Sequence, residues 1–169
     1  MRLKLCLAAL AASAVSATPA FAQQATATAE ARGVILQSLT LVRQTHLDFG
    51  TVAPDALNPG SVSIDADSGA RSTGGAVVAL PGAFSRARFD GSGTAGNTVQ
   101  LTLNQPAGGV IVSGANTVAA VLNLDSGGTN RTIPAGGVFS VYVGGDFTIA
   151  ANQASGLYTA DFDLTAEYQ

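Results

Sequence analysis

The chain is 169 residues long, with a formal net charge of −3, only 11% charged residues and one cysteine. This length suits one ordinary domain with a sizeable core, and a lone cysteine rules out a framework of internal disulfides. The weak acidic balance argues against nucleic acid and anionic membrane as partners, because both demand clustered cations.

Residues 1–22 fall into three zones: Arg2 and Lys4, an apolar run from Leu5 to Val15, and a small-residue end at Ala20-Phe21-Ala22. That is the pattern of a secretory signal peptide, with cleavage expected after Ala22. Ser13, Ser16, Thr18 and Pro19 cut the run short of the roughly 20 apolar residues that a transmembrane anchor needs. Cys6 lies within the leader, so the mature chain is expected to hold no thiol. No later tract is apolar enough for a helix to span a bilayer, and no membrane insertion is expected once the leader is gone.

Residues 23–33 form an expected N-terminal extension in which Ala25, Ala27, Ala29 and Ala31 alternate with Thr26, Thr28, Glu30 and Arg32. About 11 extended residues span roughly 36 Å at about 3.3 Å each, enough to lie along a sheet edge, but small Ala and Thr side chains bury little and a frayed terminus is the plainer reading. The sandwich domain is expected over residues 34–169. Its first strand runs from Val34 to Phe49, bent near Arg43-Gln44, with Leu39, Leu41, Leu47 and Phe49 facing inward and His46 outward.

Val62 and Ile64 mark the next strand, followed by Asp65-Ala66-Asp67-Ser68-Gly69. Two carboxylates at alternate positions before a glycine open like a calcium loop, but the bidentate acid that closes such a loop is missing. A polar turn is the plainer reading, with Asp65 and Asp67 as the calcium candidates. Further apolar stretches are Ala76 to Leu80, Ala87 and Phe89, Val99 to Leu103, Val110 to Val112, Val118 to Leu124, and Val138 to Val143 continuing through Phe147 and Ile149. Tyr158, Ala160, Phe162, Leu164, Ala166 and Tyr168 alternate with polar residues to give the clearest strand. The period is two throughout, and paired glycines such as Gly74-Gly75 and Gly127-Gly128 punctuate the runs. The fold class is therefore all-β, an antiparallel β-sandwich or barrel of about nine strands.

Constellations that carry chemistry are scarce. His46 has no second histidine and no mature cysteine to complete a metal site, and no serine sits in a Gly-x-Ser-x-Gly elbow. Asp48-Phe49-Gly50 matches a kinase tripeptide in a chain too short for a kinase, and reads as a strand end. Asp161 and Asp163 share one strand face about 7 Å apart, a glycosidase-like spacing, but on an open face they read as solvated edge charges. Arg86 and Arg88 lie two apart and could meet an acidic neighbour or a sugar carboxylate, with ordinary surface charge the plainer reading. Asn130-Arg131-Thr132 matches a glycosylation acceptor, discounted beside a bacterial-type leader. No catalytic residue and no cofactor is expected.

In order along the chain stand Leu47-Asp48-Phe49-Gly50-Thr51-Val52, Val62-Ser63-Ile64-Asp65 with Ser68-Gly69-Ala70-Arg71, Ala87-Arg88-Phe89, then Gly144-Gly145, Phe147-Thr148-Ile149, Gly156-Leu157-Tyr158-Thr159 and Tyr168-Gln169. This series resembles the domain of unknown function 4402 family of exported bacterial proteins, over nearly all of Val34 to Gln169. The family is similar in turn to spore coat protein U type pilin subunits, which are immunoglobulin-like sandwiches assembled by a chaperone and usher. The chain departs from the pilin pattern in lacking a cysteine pair and in carrying alanines where a donor strand has bulky apolar residues.

The resemblance implies an immunoglobulin-like form of the sandwich and an exported protein of the periplasm, cell surface or medium. It implies a non-catalytic structural or adhesive subunit, pilin-like and assembled by donor-strand exchange, with copies of itself or a periplasmic chaperone and usher as partners. The strand would come from Thr26 to Leu39, with Thr26, Thr28, Ala29, Ala31, Val34 and Leu36 as the candidate donor residues. The accepting groove would be lined by Phe162, Leu164 and Tyr168. The alternative is a monomeric ligand-binding module of carbohydrate type, which needs exposed aromatics. The chain has no tryptophan, and Tyr158 and Tyr168 fall on the apolar parity.

Overall fold

The structure, a computed structural model, describes residues 24–169. The leader expected over residues 1–22, with Cys6, lies outside the described residues. The chain divides between Val34 and Ile35. Up to Val34 the described residues form neither strand nor helix and are exposed throughout, and the Arg32 guanidinium donates to Glu30 Oε2 at 2.9 Å.

From Ile35 onward the protein is an antiparallel β-sandwich. Its 12 strands among the described residues are β1 (Thr40–Thr45), β2 (Val52–Ala53), β3 (Gly60–Ile64), β4 (Arg71–Gly75), β5 (Val78–Ala79), β6 (Ala87–Ser92), β7 (Thr98–Asn104), β8 (Val110–Ser113), β9 (Asn116–Leu124), β10 (Asn130–Thr132), β11 (Val138–Ile149) and β12 (Asp163–Tyr168). About nine were expected, and β2, β4 and β10 are the additions. They are two to five residues long and mostly polar or glycine-bearing, so pairing with a neighbour creates them where no apolar alternation announces them.

The larger sheet is organised by β11. Val143 pairs with Ala87 of β6 and Leu124 of β9, while Gly145 pairs with Ile64 of β3 and Leu122 of β9. So β9 takes one side of β11, and β6 and β3 share the other in succession. The change of partner falls at Gly144, where a Cβ would collide with the backbone of Ile64 and Ala66. Only glycine permits so close an approach. β1 continues the sheet beyond β6, β4 beyond β3, and β8 beyond β9. The smaller sheet has the order β10-β7-β12.

Two apolar clusters result. The first lies between the sheets and joins Phe89, Val141 and Val143 to Val99, Leu101 and Leu164, with Leu39, Leu41 and Leu47 against it. The second joins Val62, Val77, Val118, Phe147 and Ile149 on the inner face of the larger sheet, but the small sheet does not cover it. Its cover is Phe49 and Tyr158 from irregular segments, with Val52 of β2 and Ile111 of β8.

Both terminal strands are shorter than the alternation suggests. Val34 to Leu39 lies in no ladder, and pairing begins at Thr40. The expected bend is a register shift between Arg43 and Thr45, where the extra residue Gln44 bulges against β6. The last strand begins at Asp163 and not at Tyr158, because its partner Asn104 is the final residue of β7. Before it only Thr159 is held, by a single bridge to Val112.

Candidate functional site

β1 and β12 are both end strands of their sheets, each with one side unpaired. Between them runs a groove. Its narrower part, about 300 Å³, is walled by Leu41 and Arg43 on one side and Asp163 and Leu164 on the other, with Phe89 below. The wider part, about 690 Å³, continues between residues 46–52 and 153–162 over Ile111, Leu122, Phe147 and Ile149. Leu47 and Phe162 line both parts and form the waist.

The groove exists because the small sheet stops short. Ala160 to Phe162 run on past the last rung of β12 and belong to no ladder. The opposite wall is tied from outside: Asp48 bridges to Ser85 through two backbone bonds of 2.8 and 2.9 Å. Arg71 completes this tie, donating to Phe49 O at 3.3 Å and Leu80 O at 2.9 Å with its guanidinium 4.5 Å from the centre of the Phe84 ring. Gly50 turns beneath it with φ +74°, a left-handed conformation that glycine adopts without strain. The floor is aromatic, with Phe147 5.4 Å from Phe49 and 6.4 Å from Tyr158, while Phe162 meets Phe89 edge-on at 6.1 Å.

Polar groups line the walls beside this floor: His46, Asp48, Gln153 and Asp161 in the wide part, and Arg43, Asp161 and Asp163 in the narrow part. Gln153 Nε2 donates to the Tyr158 hydroxyl at 2.8 Å, and that hydroxyl donates to Ala154 O at 2.7 Å. His46 is exposed at the rim, and the only contact made to it by Ser85 Oγ is to its carbonyl, at 2.8 Å. A groove with two strand edges at its narrow end and an apolar floor at its wide end is suited to an extended peptide, which adds backbone bonds along an edge and side chains onto the floor. Such an edge otherwise invites unspecific pairing, and the charges of Asp161 and Asp163 on the β12 side oppose that.

Other residues singled out from the sequence fall elsewhere. Asp65 Oδ1 accepts from Ser68 N at 2.7 Å and Ser68 Oγ at 2.5 Å, while Asp67 Oδ1 accepts from Ser126 N at 2.8 Å. The two calcium candidates thus cap different backbone groups, and among the described residues no cluster of three His, Cys, Asp or Glu side chains could hold a metal. Arg88 pairs with Asp90 at 2.9 Å, and Arg86 lies 3.6 Å over the Tyr142 ring while donating to Ala66 O at 2.7 Å. Of the residues proposed to line a groove, Phe162 and Leu164 do so. Tyr168 does not: its hydroxyl accepts from Thr94 N at 2.7 Å and donates to Gln37 O at 2.8 Å. The donor candidates Thr26, Thr28, Ala29, Ala31, Val34 and Leu36 are all exposed and unpaired in any ladder.

The sequence reading missed the buried pair of Asp125 and Arg131, which is the one buried charge among the described residues. Asp125 also accepts from Gly127 N at 3.1 Å and from Tyr142 N at 2.8 Å. It sits at the end of an apolar strand before Ser126-Gly127-Gly128, so a turn hid it.

The profile of the family described as domain of unknown function (DUF4402) matches residues 39–168, which spans both sheets and both walls of the groove. The chain belongs to this family. The match begins at Leu39, so Val34 to Ser38 and the alanine-rich run lie ahead of the region that defines the family. No curated protein and no solved structure matches the chain.

Proposed function

We propose that this protein is exported through its leader and serves as a non-catalytic structural or adhesive subunit of the periplasm or cell surface, pilin-like in assembling by strand exchange. The observation that carries this reading is the groove that starts between the unpaired sides of β1 and β12 and widens over an apolar floor beyond their ends. An immunoglobulin-like subunit that lacks one strand has this kind of opening, and a neighbour's extended segment closes it by β-augmentation. The wide part is floored by Leu122, Phe147 and Ile149, and covering that floor with a neighbour's side chains gains by burial.

Sizing of the processed protein across a range of concentrations, with and without Gln23 to Arg32, tests the reading. Assemblies that dissolve on deletion support it. Monomers in both cases at the highest concentration sink it.

A second reading, the monomeric ligand-binding module, draws support from the volume of the groove, which lies in the range of about 300 to 1,000 Å³ typical of small-molecule sites, and from the Gln153 and Tyr158 pair at its end. Retention of carbohydrate on a glycan array at millimolar ligand would favour this module over the assembled subunit.

A further inference from the structure

The strand-exchange reading leaves open which face of the extension enters the groove, and the structure bears on that choice. In extended chain, alternate side chains point to opposite sides. Arg32 and Glu30 contact one another at 2.9 Å across the residue between them, which puts both on one side of the segment. That side also carries Thr26, Thr28, Val34 and Leu36. The opposite side carries Ala27, Ala29, Ala31, Gly33 and Ile35, with no charge and no polar side chain.

We propose that the occupant of the groove is residues 27–35 of a second copy, inserted with Ile35 and the alanine methyls inward and with Glu30 and Arg32 turned to water. The proposal rests on the strand-exchange reading and fixes its register parity. Inserting the other side would strip Glu30 and Arg32 of water over a floor of Phe147, Ile149 and Leu122, and would set the Glu30 carboxylate in a trough whose walls already carry Asp48 and Asp161. Ile35 is the single bulky side chain on the uncharged face and is 98% exposed in the isolated chain. An Ile left in water gains by burial. The wide part of the groove takes it together with the strand's own backbone, and the narrow part between Leu41 and Leu164 takes the alanines. Nine extended residues reach about 30 Å at about 3.3 Å each.

Four single variants of the processed full-length protein test this: Ile35→Asp and Ala31→Asp on the inserted face, Val34→Asp and Thr28→Asp on the outer face. All four positions are exposed, so none of the changes disturbs the core. Association measured by sedimentation should weaken at least about tenfold for the first two and stay within about threefold of the parent for the last two. Equal weakening by both pairs, or weakening by the outer pair alone, overturns the parity while leaving strand exchange standing. Association of the parent with no response to any variant excludes the segment as occupant. A parent that stays monomeric at every concentration overturns strand exchange and this inference together.

Discussion

Arg131 and Asp125 are the residues whose chemistry depends most on their surroundings. The carboxylate is 7% exposed and satisfies a guanidinium and two backbone N–H groups, so it ties the turn after β9 to β10 and to Tyr142 of β11. Removing one partner of a buried pair leaves the other charged and unsolvated, which costs about 3 to 5 kcal/mol. Asp125→Ala should therefore lower the urea midpoint by far more than any surface aspartate does. The double change Asp125→Leu with Arg131→Met should recover much of the loss, because apolar replacement of both partners removes the stranded charge. A double variant as unstable as the single one would show that the loss came from the backbone N–H groups and not from the arginine. Neither residue advertises this role in the sequence: one precedes a glycine turn and the other sits in a polar triplet, and their meeting depends on the turn between them.

At the scale of elements, the last alternating segment divides into two halves with different work. From Asp163 onward it is a laddered strand, and Leu164 is buried in the inter-sheet core. Before that, Ala160 to Phe162 form a groove wall with no ladder, and Phe162 is half-buried. Leu164→Ala should cost about 3 kcal/mol of stability, in the range of large-to-small core changes. Phe162→Ala should cost about 1 kcal/mol, since much of its ring already meets solvent, and should instead weaken assembly. Thermal melts and sedimentation on the two variants separate these effects. The inward parity of Tyr158 to Tyr168 is legible in the sequence because a period of two is a local property. The point at which pairing stops is not, because it is set by where β7 ends, some sixty residues earlier in the chain. The bend near Arg43-Gln44 is legible for the opposite reason: polar residues interrupt the inward row there, and the bulge falls at Gln44.

Over the whole molecule, three carboxylates, Asp65 exposed and Asp55 and Asp90 half-buried, make the fold sensitive to acid. Asp90 is held below the ordinary carboxylate range by the Ser140 hydroxyl and then by Arg88. Asp65 is lowered by the Ser68 hydroxyl and backbone N–H, and Asp55 by the backbone N–H groups of Leu57 and Asn58. A carboxyl whose folded value lies below its unfolded value of about 4 adds stability above that pH and loses it as pH falls through the folded value. The melting temperature should thus be level from pH 7 to about pH 5 and fall below about pH 4. A fall beginning well above pH 5 would contradict this assignment. The sequence by itself determined that the chain is built of strands, which side chains face inward and where most turns lie, because these follow from alternation and from glycine punctuation over a few residues. Only the tertiary structure decided that the small sheet covers just one of the two apolar clusters, and that the unpaired sides of β1 and β12 flank a groove that runs from the edge of that covered cluster onto the other. Sheet edges are made by partners that are absent from a strand's side, and no stretch of sequence states which of its neighbours is missing.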